Sequence, residues 1–368
     1  MRVLAQKLLA SDLPYLHAVI CNAGIGGWSG LDWPLAVRTV LADIRRATTW
    51  PTFKTGVVGL VTRPQLPNVD GKQLEEPVLG EIFCANLFGH YMLAHWLMPL
   101  LWACSSQTAG KVVWVGSIEP GKKHYNPDDH QGLLTDAAYE HGKRASDLMA
   151  LTAQGQAATA KTVDEYLSPT QPLIANRRHQ NVRPSIQITH PGIVVTTIVS
   201  LYSIIAQAYM LAIYFARWVG GVWSTVSPYS GAASAVWVAL ATTDELREQE
   251  AQDGGGEGKW GSAVNVFGHT TVRRTEVEGW GISGTAQPYA EKWWGGADWY
   301  SGGQVGRASG AEEATKEDVE DFVAQGAEVW WKMEELRLDW ENRLNDLDEQ
   351  LHEKQANGQL ESNGQLRE

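Results

Sequence analysis

The sequence of 368 residues predicts an α/β protein whose core is a doubly wound parallel sheet. Three observations lead to this prediction. Short apolar runs of strand length recur along the chain, each run ends in residues that favour turns, and segments with a helical period of apolar residues separate the runs. Because strands that alternate with helices form parallel βαβ units, helices are expected on both faces of one sheet.

Four of these apolar runs are the predicted strands. They lie at 17–21, 111–115, 185–189 and 263–267. Their length and apolar composition are typical of strands that are buried on both faces. Several Pro and Gly residues make 51–79 a predicted loop.

Long helices are predicted at 81–104 and 136–160, where apolar residues recur every three to four positions. A short amphipathic helix begins the chain, and its apolar stretch is too short for a signal peptide, so none is expected. Residues 1–285 are therefore predicted to form one α/β domain.

The remaining chain divides into three predicted segments. Residues 286–311 are a Gly- and Trp-rich linker, 312–353 form an acidic amphipathic helix, and 354–368 are a polar, disordered tail. The simplest interpretation of the acidic helix is that its apolar stripe packs on its own domain. Docking on a partner protein is the alternative.

Composition excludes several classes of function. The formal net charge is −12, from 42 acidic and 30 basic residues, which argues against a nucleic-acid partner. The three cysteines form no CxxC pair and no disulfide framework, so we expect a reducing, cytosol-facing location. The histidines between 90 and 141 have no ligand spacing, so no metal is predicted.

The first candidate for chemistry is Tyr139, which precedes Lys143 by four residues. Residues four apart share one helix face, and an ammonium beside a phenol favours the phenolate and lowers the pKa of the tyrosine. Such a tyrosine can give a proton to a carbonyl oxygen. This spacing also arises by chance, and a solvated lysine beside a half-buried tyrosine is the simpler interpretation of the motif alone.

Two further polar residues occupy positions where ligands bind. Ser117 follows the strand at 111–115, and open α/β sheets bind ligands at the carboxyl ends of their strands. Asn86 lies within an apolar helix, where a buried amide needs hydrogen-bond partners. Asn86 is therefore either a satisfied core amide or the holder of a water molecule in a proton relay.

Two turns complete the set. Asn22, Ala23 and Gly24 end the first predicted strand, and Pro191 and Gly192 end the third. Thr196 and Thr197 follow the second turn. Taken singly, each turn is an ordinary chain reversal.

Together these motifs resemble the short-chain dehydrogenase/reductase superfamily, whose fold is Rossmann-like, and within it the fungal 3-keto-steroid reductases of ergosterol biosynthesis. The resemblance covers roughly 15–285 and the tail helix. The stretches that carry it are NAGIGGWSGLDWP (22–34), GEIFCANLFGHYMLAHWLMPLL (80–101), VVWVGSIE (112–119), YEHGKRASDLMALT (139–152), THPGIVVTTIV (189–199) and TEVEGWG (275–281).

The resemblance implies NADPH-dependent reduction of the 3-keto group of a sterol intermediate at the C-4 demethylation stage. Tyr139 would donate the proton, Lys143 would lower its pKa and hold the nicotinamide ribose, Ser117 would orient the ketone, and Asn86 would support the proton relay. The remaining residues would border the cofactor: Asn22, Ala23, Gly24, Pro191, Gly192, Thr196 and Thr197. A reductase of another lipid ketone or of a retinoid is an alternative.

The superfamily has a TGxxxGxG turn after its first strand, and this chain lacks that motif. The superfamily places three strand–helix units, of roughly 30 residues each, before the Asn-Ala-Gly turn, yet only 16 residues precede His17. The glycine-rich run 24–30 has Ser29 where GxGxxG requires glycine. We therefore expect an N-terminally truncated Rossmann-like sheet. The chain is either a fragment of a working enzyme or a catalytically inactive scaffold subunit of the sterol C-4 demethylation complex.

Residues 191–216 contain no formally charged side chain, and 198–215 are strongly apolar. Three interpretations remain open: association with a membrane surface, a membrane-spanning helix, and a buried helix. The resemblance implies a sterol ketone as substrate and a location on the cytosolic face of the endoplasmic reticulum or on lipid droplets. It also implies contacts with other C-4 demethylation subunits and a homodimer through 81–104 and 136–160.

Overall fold

The computed structural model describes residues 1–69, 71–104, 109–169, 182–196, 203–252, 255–286, 306–307 and 311–356. Its strands are β1 (Ala18–Cys21), β2 (Trp28–Leu31), β3 (Lys54–Gly56), β4 (Asn68–Val69), β5 (Lys72–Gln73), β6 (Lys111–Val115), β7 (Ser185–His190), β8 (Lys259–Val264) and β9 (Thr270–Thr275).

The helices lie between and after these strands. They are α1 (Arg2–Leu9), α2 (Trp33–Ala42), α3 (Ile44–Thr49), α4 (Glu81–Phe83), α5 (Gly89–Trp96), α6 (Met98–Trp102), α7 (Ala138–Leu151), α8 (Ala160–Leu167), α9 (Ser203–Trp218), α10 (Pro228–Gly231), α11 (Ala233–Leu240), α12 (Thr243–Gln252) and α13 (Lys316–Ala356). A π-helical turn, Cys84–Phe88, joins α4 to α5.

The central sheet has five strands in the order β1-β6-β7-β8-β9. The first four are parallel, and β9 runs antiparallel to β8. Helices flank the sheet, and the long helix α13 follows it in the chain. The prediction of an α/β protein with a doubly wound, mostly parallel sheet and a C-terminal helix is therefore confirmed.

The strand predictions differ in accuracy. The strand at 111–115 has the predicted bounds, and those at 17–21 and 185–189 are correct to within one residue. The prediction at 263–267 is wrong, because β8 begins at Lys259 and ends at Val264. A lysine would be expected to lie outside a buried strand, but Lys259 is buried because Asp147 neutralises its charge.

The two long helices are both interrupted. The predicted helix 81–104 contains the π turn and then breaks at Leu97, after which Pro99 lies in the first turn of α6. The predicted helix 136–160 ends at Leu151, and α8 begins at Ala160. Gly155 separates these helices with a φ of +69°, a conformation that glycine adopts without strain.

The chain from 191 to 216 is not one helix. Residues 191–196 form a loop that includes a bridge from Val194 to Val226, and α9 spans Ser203–Trp218. Within the part of the chain that the structure describes, no helix combines the length and the apolar character needed to cross a bilayer.

The acidic helix α13 packs on its own domain. The indole N–H of Trp330 donates to the carbonyl oxygen of Met149 at 2.9 Å, and the Tyr91 hydroxyl donates to Glu334 at 2.5 Å. Arg337 binds both Glu334 and Glu341 at 2.6 Å. The helix thus covers the faces of α5 and α7 where the resemblance places a homodimer contact, and the homodimer stays a prediction.

Two predicted segments fall largely outside the described residues. In the linker 286–311, the structure describes only 286, 306–307 and 311. Of the tail predicted at 354–368, it describes the backbone of 354–356, which continues α13. The predicted end of the acidic helix at 353 is therefore three residues too early.

Candidate active site

A cavity of about 460 Å³ opens at the carboxyl ends of β1, β6 and β7. Parallel strands end at the same edge of a sheet, so the turns that follow them meet there. The predicted site residues that line this cavity are Asn22, Gly24, Asn86, Ser117, Tyr139, Lys143, Pro191, Gly192 and Thr196. Ala23 lies exposed in its turn and is not part of the lining, and Thr197 lies outside the described residues.

Tyr139 and Ser117 form the centre of this cavity. Tyr139 stands in the first turn of α7 and lines the cavity together with Ser117, which follows β6. Burial of the phenol raises the pKa of Tyr139 above its ordinary value, and the nearby Glu119 carboxylate raises it further. The neighbouring Ser117 hydroxyl lowers the pKa of Tyr139 by a smaller amount.

Lys143 lies one helical turn beyond Tyr139 and is buried. Its ammonium donates to the carbonyl oxygen of Val115 at 2.7 Å and lies 5.6 Å from the centre of the Tyr139 ring. Burial lowers the pKa of Lys143 to about 8, and the positive charge of Lys259 contributes to this shift. The sequence predicts that Lys143 lowers the pKa of Tyr139. In this structure the pKa of Tyr139 is raised instead, first by burial and then by the Glu119 and Glu140 carboxylates.

Asn86 lies in the π-helical turn, a local widening of the helix that is frequent at functional sites. Its amide nitrogen donates to the carbonyl oxygens of Ile25 and Ile82, at 2.8 and 2.9 Å. Its buried Oδ1 atom has no protein partner. Asn86 thus fastens the segment after β1 to the helix, and its acceptor oxygen is available to a polar ligand.

The turn after β7 is shaped by Gly192. This residue has a φ of +70°, and a Cβ atom there would lie 2.4 Å from the carbonyl oxygen of Trp223. The Gly192 N–H donates to Nδ1 of His190 at 3.1 Å. Glycine is therefore required at this position both for the backbone conformation and for the close approach of a second chain segment.

A buried ion pair between Lys259 and Asp147 contacts the backbone of Ser117. The Lys259 ammonium contacts Asp147 at 2.6 Å and donates to the backbone carbonyl oxygen of Ser117. Asp147 lies one turn after Lys143 on α7. The pair therefore links β8 and α7 to the segment that carries the serine. Sequence reasoning missed both residues, because nothing local distinguishes a paired lysine from a solvated one.

A second cavity, of about 690 Å³, adjoins the first and shares Gly24, Trp28, Glu119, Thr196 and Tyr209 with it. Its outer wall comes from Leu31 at the end of β2 and from Ala47, Pro51 and Phe53 in the segment between β2 and β3. The glycine-rich run 24–30 forms part of this wall and leads into β2. It does not lie at the N-terminus of a helix, as a dinucleotide-binding turn would.

The residues of the first cavity fit the nicotinamide ribose end of a dinucleotide. The unpaired Oδ1 of Asn86, the Tyr139 hydroxyl and the Lys143 ammonium supply the acceptors and donors that ribose hydroxyls require. Among the described residues, no group of three or more His, Cys, Asp or Glu side chains is arranged to hold a metal ion.

A parallel sheet with a Tyr–Lys pair and a serine around a cavity at the carboxyl ends of its strands defines a short-chain dehydrogenase/reductase. Comparison with known proteins narrows this class. The chain is 38% identical over 358 residues to a 3-keto-steroid reductase of Aspergillus fumigatus, with 95% of this chain and 76% of that protein covered. The chain belongs to the family of fungal 3-keto-steroid reductases.

Two further relatives agree with this assignment. A 3-keto-steroid reductase of Gibberella zeae is 38% identical over 337 residues, which cover 90% of this chain and 68% of that protein. A 3-keto-steroid reductase of Eremothecium gossypii is 30% identical over 283 residues, which cover 76% of this chain and 68% of that protein. No family model matches the chain, and neither does any solved structure.

Proposed function

We propose that this protein reduces the 3-keto group of a sterol intermediate to the 3β-alcohol with NADPH, at the C-4 demethylation stage of ergosterol biosynthesis. The observation that supports this function is that Ser117, Tyr139 and Lys143 line one cavity, which shares a wall with a second, larger cavity. One cavity fits the reactive end of the cofactor, and the other provides an apolar chamber beside it.

The roles of the polar residues follow from their positions. Ser117 donates to the ketone oxygen and orients it, and Tyr139 gives that oxygen its proton. Lys143 binds the ribose and keeps a positive charge near the phenol. Asn86 holds a water molecule through its Oδ1 atom. A bound nicotinamide supplies the hydride that reaches the carbonyl carbon.

The second cavity suits the body of a sterol. Its volume of about 690 Å³ lies in the range of pockets that enclose drug-sized ligands. Leu31, Pro51, Phe53 and Tyr209 give it an apolar wall. A rigid, apolar ring system would gain affinity there from the hydrophobic effect, while its ketone reaches Ser117 and Tyr139.

The test is ketone-dependent oxidation of NADPH by the purified chain. Tyr139→Phe should abolish turnover and leave ketone binding nearly unchanged, because it removes only the hydroxyl group. Tyr229→Phe is the matched control, since Tyr229 is 91% exposed and should retain wild-type turnover. The proposal fails if the wild-type chain neither binds NADPH nor turns over the ketone. Co-purification with sterol-pathway proteins in that case would favour the inactive scaffold.

We also propose that the protein associates with the surface of the endoplasmic reticulum or of lipid droplets through the segment 198–215. Leu211 and Phe215 of this segment, together with Trp218 at the end of the same helix, support this location, because they are 64, 50 and 62% exposed and recur at helical spacing. Exposed apolar side chains on one face of a helix are typical of segments that lie on a membrane.

A further inference from the structure

Lys54 occupies an unusual place for a lysine. It lies in β3, and its side chain is only 9% exposed. Its ammonium binds Glu140 at 2.7 Å and also contacts Glu119. Burial disfavours the charge of Lys54, but the two carboxylates outweigh burial, and its pKa is raised. Lys54 is therefore a fixed positive charge beside the site.

The same ammonium lies against two aromatic rings. It is 4.1 Å from the centre of the Trp28 ring and 5.5 Å from that of Tyr139. The two rings are themselves in contact, with centres 4.9 Å apart. A cation over the faces of Trp and Tyr is attracted by both rings, so Lys54 connects the wall of the second cavity to the phenol.

The carboxylates that Lys54 binds both act on Tyr139. Glu119 comes two residues after Ser117, and Glu140 is next to Tyr139 in α7. Both carboxylates raise the pKa of the phenol. The other groups that face this cluster are Lys143 of α7, Tyr209 of α9, near Glu119, and His124, near Glu140.

We propose that Lys54 is a positioning residue for Tyr139: it holds the phenol and Trp28 in place and offsets one of the two negative charges of Glu119 and Glu140. This inference rests on the proposed function. Without Lys54, two carboxylates would stand uncompensated beside the phenol. The phenol would then be a weaker proton donor, and the effect would grow with pH as Glu119, whose pKa is raised by burial, loses its proton.

The experiment compares four variants of the full chain with wild type. Lys54→Met removes the charge, and Lys54→Arg retains it. The double variant Lys54→Met/Glu119→Gln removes one charge of each sign. Lys122→Met is the matched control, because Lys122 also binds two carboxylates, Asp318 and Asp321, but lies on the surface.

We measure kcat and KM for the ketone from a pH of about 6 to about 8. At the upper end, Lys54→Met should lower kcat about tenfold, as expected when the pKa of the proton donor rises by about one, with a smaller change in KM. The loss of kcat in Lys54→Met should become smaller as the pH falls. Lys54→Arg should retain most of kcat, the double variant should recover much of it, and Lys122→Met should match wild type.

The inference is overturned if wild type is active and Lys54→Met has the same kcat and pH profile. It is also overturned if kcat falls equally at every pH and the double variant recovers nothing, since that result indicates a packing role alone. If the wild-type protein is itself inactive, the result contradicts the proposed function and not the role of Lys54. The melting temperature of each variant across the same pH range identifies any loss that comes from unfolding.

Discussion

The Cα atom of Gly24 lies against the amide oxygen of Asn86, so that a Cβ atom at residue 24 would be 2.1 Å from Oδ1. Gly24 ends the turn after β1, and Asn86 lies in the π-helical turn that precedes α5. Two of the sequence motifs are therefore in direct contact. Glycine is required at residue 24 because the side-chain amide of Asn86 occupies the space where a Cβ atom would lie.

This contact predicts the effect of Gly24→Ala. The new methyl group must displace Asn86 from its bonds to Ile25 and Ile82, at a cost of roughly 1–3 kcal/mol in unfolding free energy. Urea denaturation should show this loss, and kcat should fall with it. Gly142→Ala is the control, because a Cβ atom there meets nothing within 4 Å and alanine favours the helix. Equal stability of Gly24→Ala and wild type would contradict the contact.

Trp330 anchors α13 on α7. Its side chain is fully buried, and its N–H bonds to Met149, so Trp330→Ala should lower the unfolding free energy by roughly 3–5 kcal/mol. The adjacent Trp331 is 57% exposed and provides a matched control, for which we expect a change within about 0.5 kcal/mol. Chemical denaturation of both variants tests the difference. Similar losses for both would show that α13 contributes little to stability.

Glu257 makes stability depend on pH. Burial raises its pKa to about 7, the negative charge of Glu250 adds to this effect, and Arg274 opposes it. A folded-state pKa above the unfolded value means that the folded state holds the proton more tightly. The resulting stability is fully present below the unfolded pKa and is lost as the pH rises through about 7.

Replacing Glu257 by Gln should therefore flatten the pH dependence. From a pH of about 5 to about 8, wild type should lose more unfolding free energy than Glu257→Gln, by roughly 1–3 kcal/mol. Urea denaturation at several pH values measures the difference. Parallel curves for the two proteins would show that Glu257 is not the responsible group.

The exposed face of α9 predicts membrane binding. Replacing Leu211, Phe215 and Trp218 together by serine should release the protein from lipid vesicles, because apolar area drives interfacial binding. Vesicle co-sedimentation measures this effect. Leu338→Ser is the control, since Leu338 is 50% exposed on α13, away from this face. Unchanged sedimentation of the triple variant would contradict the proposed location.

The sequence by itself determined the features that depend on neighbouring residues. The apolar run 111–115 is a strand with the predicted bounds, and the spacing of Tyr139 and Lys143 puts both residues on one face of α7. Strand ends followed by turns also identified part of the lining of the first cavity: Asn22, Gly24, Ser117, Pro191, Gly192 and Thr196. These are short-range properties, which propensity and periodicity express directly.

Only the tertiary structure decided which distant charges meet. Lys54 lies 65 residues from Glu119, and Lys259 lies 112 residues from Asp147, so no local pattern distinguishes these lysines from solvated ones. The pKa of Tyr139 is likewise set by burial and by Glu119, neither of which can be read from the spacing of Tyr139 and Lys143. Burial removes water, and the charge of a group is then controlled by whichever partners the fold brings to it.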